Sequence, residues 1–456
     1  MDNKDNINEL NNEMMNLKID EQSMQINALN KNIQNITKSY EEALKKTKKW
    51  RTVACILSLG VGLSVGALVS AAAVSQYLYN TDNAWVVSKK TGDGKLSDKV
   101  KDKIDSLSAI IDARYLDDYD KEKVESYIYK GMVAGLDDPY STYYTAKEYK
   151  QMLESSDGKY KGIGVYVSQD PETKKITFAD VMENGPAKEA GLMAGDVLIK
   201  VEGEDITGKD VDEVTSKIKG EAGKPVKITI LRKNGDKEEE LEFNVDRREI
   251  EVQTVKYELR PDKVGYIQVT EFQGVTTSQF KSAYADLKKK GMTGLVIDLR
   301  DNPGGLLPVV TDMLDYILPE GLIVYTQDKY GNKDEYKSDK KTELDVPLTV
   351  LINGNSASAS EIFAGAVQDY GVGKLVGTKS FGKGIVQEVR DFNDGSAVKL
   401  TISKYYTPKG RCIHKTGIEP DVEVELDEGV AGENYSKDKD NQLKKAVDEV
   451  KAMTDK

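Results

Sequence analysis

Near the N-terminus apolar residues recur at alternating spacings of three and four, first Ile7, Leu10, Met14 and Leu17, then Ile26, Leu29, Ile33, Ile36 and Tyr40. The gap between the two series makes this a broken heptad pattern in a polar, glycine-free stretch, residues 1–44. Two readings fit it: a short coiled coil that pairs two chains, or an amphipathic segment that is helical only part of the time. The pattern then changes. From Thr52 to Thr81 no residue is charged, and residues 53–79 are mostly apolar or small, beyond the roughly 20 residues that a bilayer core requires. Lys45, Lys46, Lys48, Lys49 and Arg51 stand just before this run. The positive-inside rule therefore places residues 1–51 in the cytoplasm and everything after residue 80 outside, with Trp50, Tyr77 and Tyr79 as interface anchors. A cleaved signal peptide could use the small residues 70–73, but a polar leader of about fifty residues is long for one. A retained single-pass signal anchor over residues 52–79 is the better reading.

After a linker at residues 80–97, the spacing predicts helices over 98–157. Residues 226–232 and 240–245 alternate apolar and polar as half-buried strands do. The apolar run 294–299 reads as a buried parallel strand that turns at Asn302-Pro-Gly-Gly305 and continues as a helix over about 307–317. Residues 348–352 form another short apolar strand, which breaks at Asn353-Gly354 before a helix through residue 368. An amphipathic helix is expected in the tail, residues 426–456.

Composition narrows the chemistry. A net charge of −12 argues against a nucleic-acid partner and against a strongly anionic surface. The two cysteines, Cys55 and Cys412, fall in the span and outside it, so they cannot form an intrachain disulfide. No Cys/His cluster offers a transition-metal site, and no cofactor is implied. With His414 the only histidine, a serine nucleophile would have to give its proton to some other base, and a desolvated lysine is the simplest. Ser358, in Asn353-Gly-Asn-Ser-Ala-Ser-Ala-Ser-Glu361, and Lys383, in Ser380-Phe-Gly-Lys-Gly-Ile-Val-Gln387, suit such a pair. Ser358 falls near a helix N-terminus, where free N–H groups favour an oxyanion. A plain capped helix start explains the same serines equally well.

These segments, with Tyr405-Tyr-Thr-Pro-Lys-Gly-Arg411, Gly417-Ile-Glu-Pro-Asp421, Leu136-Asp-Asp-Pro-Tyr-Ser141 and Leu299-Arg-Asp-Asn-Pro-Gly-Gly305, resemble the C-terminal processing peptidases, or tail-specific serine proteases. The resemblance runs over about residues 98–425. It implies Ser358 as nucleophile, Lys383 as general base and Gln387 as the residue that orients the lysine. An extended 383–387 segment would put 383, 385 and 387 on one face. The resemblance also implies an oxyanion hole of the Gly304 and Ala359 N–H groups. Lys161-Gly-Ile-Gly-Val-Tyr-Val167, the run 184–199 and Val201-Glu-Gly203 resemble a PDZ domain. There Gly162, Ile163 and Gly164 would offer N–H groups to a substrate's terminal carboxylate. Lys219 stands where the family often has arginine and could meet that carboxylate as a point charge.

The expected architecture is multidomain α/β: a cytoplasmic segment (1–51), one transmembrane helix (52–79), a linker (80–97), a helical cap (98–157), a β-rich α+β PDZ domain (158–246), a crotonase-like α/β serine protease core (247–425) and a helical tail (426–456). The expected activity is a Ser/Lys endopeptidase at the cell membrane, acting outside the cytoplasm on protein or peptide substrates with free C-termini, as a monomer or a homodimer. Two rivals remain open, an inactive PDZ scaffold and a Ser/Lys amidase for non-peptide acyl substrates.

Overall fold

The computed structural model describes residues 96–235, 237–339, 341–430 and 437–454. The expected cytoplasmic segment, membrane span and nearly all of the linker lie outside the described residues. Among those described, no helix is long and apolar enough to cross a membrane. The chain divides into two units, Met1–Asp118 and Tyr119–Lys456. In the first, helix α1 (Asp98–Arg114) buries none of its residues.

The expected helical cap is therefore shared between the two units, and it is not all helix. In the second unit it continues as α2 (Lys121–Ala134), the short strand β1 (Thr142–Tyr144) and α3 (Ala146–Asp157). Asp120 caps α2 by accepting from the Lys123 N–H. Thr145 and Glu148 form a capping box at the start of α3, and Gly158 ends it at φ 73°. A side chain there would meet Gln273 and Val275, so glycine lets the chain turn tightly into the next module.

That module begins with β2 (Lys159–Gly162), β3 (Val165–Gln169) and β4 (Ile176–Val181), followed by α4 (Pro186–Ala190), β5 (Val197–Val201) and β6 (Glu204–Asp205). It ends with α5 (Val211–Ile218), β7 (Pro225–Asn234), β8 (Lys237–Asp246) and β9 (Arg248–Glu251). The expected alternation holds in β7 and β8, which pair antiparallel along their length. Their inward side chains join Phe178, Leu192 and Val214 in a core of their own. The entry strand β2 pairs with the exit strand β9, which marks the module as an insertion.

The remaining chain holds β10 (Val255–Leu259), β11 (Val264–Val269), α6 (Thr276–Lys289), β12 (Gly294–Asp298), α7 (Leu307–Ile317), β13 (Gly321–Asp328), β14 (Lys333–Ser338) and β15 (Leu348–Ile352). It continues through α8 (Ala359–Tyr370), β16 (Gly373–Gly377), β17 (Ile385–Asp391), β18 (Ala397–Tyr406), β19 (Val422–Glu423) and α9 (Asn441–Thr454). One six-stranded sheet runs β10-β11-β12-β15-β16-β19. It is parallel from β11 to β19, with β10 antiparallel at its edge. Leu295, Ile297 and Val350 face α6, α7 and α8. The alternate residues Val296, Leu351 and Val376 face Leu443, Ala446, Val447 and Val450 of α9. Cover on both faces explains the unbroken apolar runs of β12 and β15. It also places the helix of the tail, α9, against the sheet of the core. Arg300, following β12, reinforces the join by bonding Asp298 and Asp440 in a buried cluster. A second, five-stranded sheet orders β1-β18-β13-β14, with β17 on β18.

Candidate active site

The site forms where two parallel strands end. After β12 the chain turns through residues 302–305, and after β15 it turns through residues 353–358 into α8. Asn302 locks the two turns together. Its carbonyl accepts from the Ala357 N–H at 3.0 Å and from Ser360 Oγ at 2.9 Å, while its Nδ2 donates to Val269 O at 2.8 Å. Gly304, at φ 110°, lies so close to the second turn that a Cβ would fall 2.8 Å from Ser358 Cβ and 3.0 Å from Ala359 N. Only glycine permits that approach.

The three serines of the run separate cleanly. Ser356 and Ser360 are wholly buried, and their hydroxyls donate to Leu299 O and Asn302 O. Ser358 is partly exposed at the N-cap position of α8, with φ 55° and ψ −114°. An ordinary N-cap residue has extended backbone. A left-handed non-glycine residue costs on the order of 1–3 kcal/mol and tends to persist at functional sites. Capping alone does not require that geometry. Next to it, the Ala359 N–H makes no hydrogen bond among the described residues, whereas the Gly304 N–H donates to Asn302 Oδ1 at 2.8 Å. The two expected oxyanion donors are thus adjacent, but one is occupied.

Lys383 comes from the loop before β17. Its Nζ stands 4.4 Å from the centre of the Tyr140 ring, which belongs to the 136–141 motif. Burial pulls the Lys383 amine below the ordinary lysine range, and the charge of Lys399 adds to this; Asp138 and Glu361 pull the other way. Two carboxylates are therefore near the amine, and burial outweighs them. Ser358 Oγ and Lys383 Nζ share no hydrogen bond in this structure. Their main chains, however, meet on one atom: Glu361 Oε2 accepts from the Ser358 N–H at 2.9 Å and from the Lys383 N–H at 2.8 Å. The other oxygen, Oε1, accepts from Gly382 N–H and Ser380 Oγ. The carboxylate is completely buried. It was given no role from the sequence, although a glutamate three residues after an N-cap serine is the capping-box signal.

Gln387 makes no hydrogen bond to Lys383 among the described residues. Its Nε2 donates to Thr401 Oγ1 at 3.2 Å. Lys383 precedes β17, so the two-residue alternation of that strand does not extend to it. His414 lies in the loop packed on Gly384, with Nδ1 buried and unpartnered.

The groove of the inserted module is separate. Gly162, Ile163, Gly164, Val167, Ile218 and Lys219 are among the residues that line an open, mainly apolar cavity of about 300 Å³. Lys219 Nζ lies 3.1 Å from Glu154 Oε2 of α3 and 5.3 Å from the centre of the Tyr160 ring.

A parallel sheet with two interlocked turns at its carboxyl edge, joined to an inserted module with a glycine-bordered groove, defines a class of PDZ-containing serine peptidases, and comparison with known proteins agrees. Residues 263–424 match peptidase family S41, and residues 177–232 match a PDZ domain. A probable CtpA-like serine protease of Staphylococcus epidermidis is 34% identical over 382 residues, 83% of this chain and 74% of that one. The carboxy-terminal processing protease CtpB of Bacillus subtilis is 37% identical over 331 residues, 72% of this chain and 68% of its own. A photosystem II D1 C-terminal processing protease of known structure is 29% identical, covering 70% of this chain and 86% of its own at a TM-score of 0.41. The chain belongs to the carboxy-terminal processing serine proteases of peptidase family S41.

Proposed function

We propose that this protein is an endopeptidase in which Ser358 attacks the scissile carbonyl and Lys383 serves as general base. The observation that carries the reading is the strained Ser358 backbone beside a lysine amine held below its ordinary range. A neutral amine at Lys383 takes the Ser358 Oγ proton as the oxygen adds to the carbonyl carbon. The same lysine then protonates the leaving amine, and a water molecule hydrolyses the acyl-enzyme by the reverse sequence. Developing negative charge meets the Ala359 N–H at the positive end of α8. Gly304 N–H becomes the second donor when it leaves Asn302 Oδ1 for the oxyanion. Closure of the Ser358–Lys383 hydrogen bond and a turn of Gln387 toward the amine belong to the same substrate-bound arrangement, because catalytic hydrogen bonds commonly tighten on binding.

Substrates are unfolded proteins with free C-termini. The PDZ groove takes the tail as an added strand, the carboxylate meeting the N–H groups of Gly162, Ile163 and Gly164 and the charge of Lys219. The uncharged run 52–81 and the basic residues before it support a single-pass anchor with the protease outside the cytoplasm, and the heptad-like spacing of residues 1–44 supports pairing of two chains there. Incubating the full-length protein with an unfolded tailed protein and mapping the cuts tests the activity. Ser358→Ala should abolish cleavage while still binding the tail; near-normal turnover by that variant would sink the assignment. An amidated tail should be cut less well than a free one, and equal cleavage of both would refute tail recognition.

A further inference from the structure

Strand β18 carries Tyr405 beneath the two catalytic loops. The residue is buried, with only 1% of its surface exposed. Its hydroxyl oxygen lies 2.9 Å from Ser358 O and 2.8 Å from Lys383 O. The Ser358 carbonyl has other donors, the N–H groups of Glu361 and Ile362. The Lys383 carbonyl has only this phenol among the described residues. The arrangement mirrors that of Glu361, whose Oε2 collects the N–H groups of the same two residues. Both peptide faces of Ser358 and Lys383 are thus tied through single shared atoms, a carboxylate oxygen for the donors and a phenol oxygen for the acceptors. The main chain of Tyr405 adds a further tie, its N–H donating to Gly384 O at 3.1 Å.

We propose that Tyr405 is a positioning residue for proton transfer between Ser358 and Lys383, its hydroxyl fixing with Glu361 the separation and mutual orientation of the two main chains. The proposal rests on the reading of Ser358 as nucleophile and Lys383 as base. The hydroxyl touches neither reacting atom, so it acts through the loops alone. A phenylalanine would fill the same volume and keep the ring in its apolar setting. What it would lose is the single tie on the Lys383 carbonyl. A displacement of about 1 Å between reacting groups is enough to cost roughly 10²-fold in rate.

The test compares full-length wild type, Tyr405→Phe and Lys383→Ala on a tailed peptide across neutral to alkaline pH, with thermal unfolding measured alongside. Tyr405→Phe should lower kcat by about 10- to 100-fold with KM unchanged. Its rising pH limb should move to higher pH, because a loosened lysine segment regains solvent. Introducing 4-aminophenylalanine in place of Tyr405 keeps the ring and supplies N–H donors, and should return kcat to near the wild-type value. Wild-type kcat in Tyr405→Phe would overturn the proposal, as would a loss that follows the unfolded fraction. If the phenylalanine variant does not fold, the amino variant decides: folded and active supports the tie, folded and slow refutes it. Substantial activity in Lys383→Ala would instead refute the underlying base assignment, so the two failures are distinguishable.

Discussion

Of the lysines that stand over tyrosine rings, Lys219 borders the groove of the inserted module and Lys383 the candidate active site, and the two differ in what else surrounds them. Lys219 faces Tyr160 at 5.3 Å, is partly open to solvent and pairs with Glu154 at 3.1 Å. Lys383 faces Tyr140 at 4.4 Å and makes no ion pair among the described residues, and burial and the Lys399 charge hold its amine low. An aromatic face favours the ammonium form, so the ring cannot be what prepares a lysine for base catalysis. Withdrawal from water does that, helped by a second cation. On the proposed reading, one lysine makes an ion pair in the groove of the inserted module and the other accepts a proton in the core. The difference lies in solvent and neighbours, not in residue type.

The strongest way to break this comparison is to change Lys383. Both Lys383→Ala and Lys383→Arg should lower kcat/KM by about 10²- to 10⁴-fold or more, because the guanidinium stays protonated at every usable pH. Peptide hydrolysis by the arginine variant at more than a few per cent of wild type would show that another group takes the serine proton.

Smaller effects sharpen the electrostatic part. Because the Lys383 amine lies below the ordinary lysine value of about 10.4, activity should rise with pH through a midpoint under that value as the neutral form accumulates. Removing the Lys399 charge takes away one of the groups that lower it. Lys399→Gln should therefore move the limb to higher pH and cut the neutral-pH rate by about 2- to 5-fold. A limb that stays in place, measured as kcat/KM against pH, would discount Lys399.

At Lys219 the expected change is in binding. Lys219→Ala should raise KM for a free-tailed substrate by about 2- to 5-fold and leave kcat alone, while barely affecting an amidated one. An equal effect on both tails would separate Lys219 from the carboxylate. The smallest effect belongs to His414→Ala, which should keep near-normal hydrolysis, since the buried Nδ1 has no partner among the described residues and the proposed base is Lys383.

Strand and helix placement along the core was largely legible. The apolar runs at 294–299 and 348–352, each ending in a Gly- or Asn-containing turn, correspond to β12 and β15, and α7 occupies the stretch expected for it. What escaped was set by contacts between distant segments. No periodicity announces that Gln387 pairs with Thr401 across β17 and β18 and bonds its hydroxyl. The engagement of Gly304 N–H by Asn302 depends on a turn conformation rather than a spacing. The tail helix carried its apolar stripe openly, but which surface it covers became visible only with the sheet in place.

The order of parts along the chain has a temporal meaning. During synthesis Ser358 emerges first, then Lys383, and Tyr405 follows only when β18 is made. That strand also pairs with β1, β13 and β17, linking segments far apart in sequence, and such long-range pairings form late in folding. A growing chain can therefore carry its serine and its lysine without holding them in working register. On the proposed reading, the order of the chain delays assembly of the Ser358–Lys383 pair until β18 is in place.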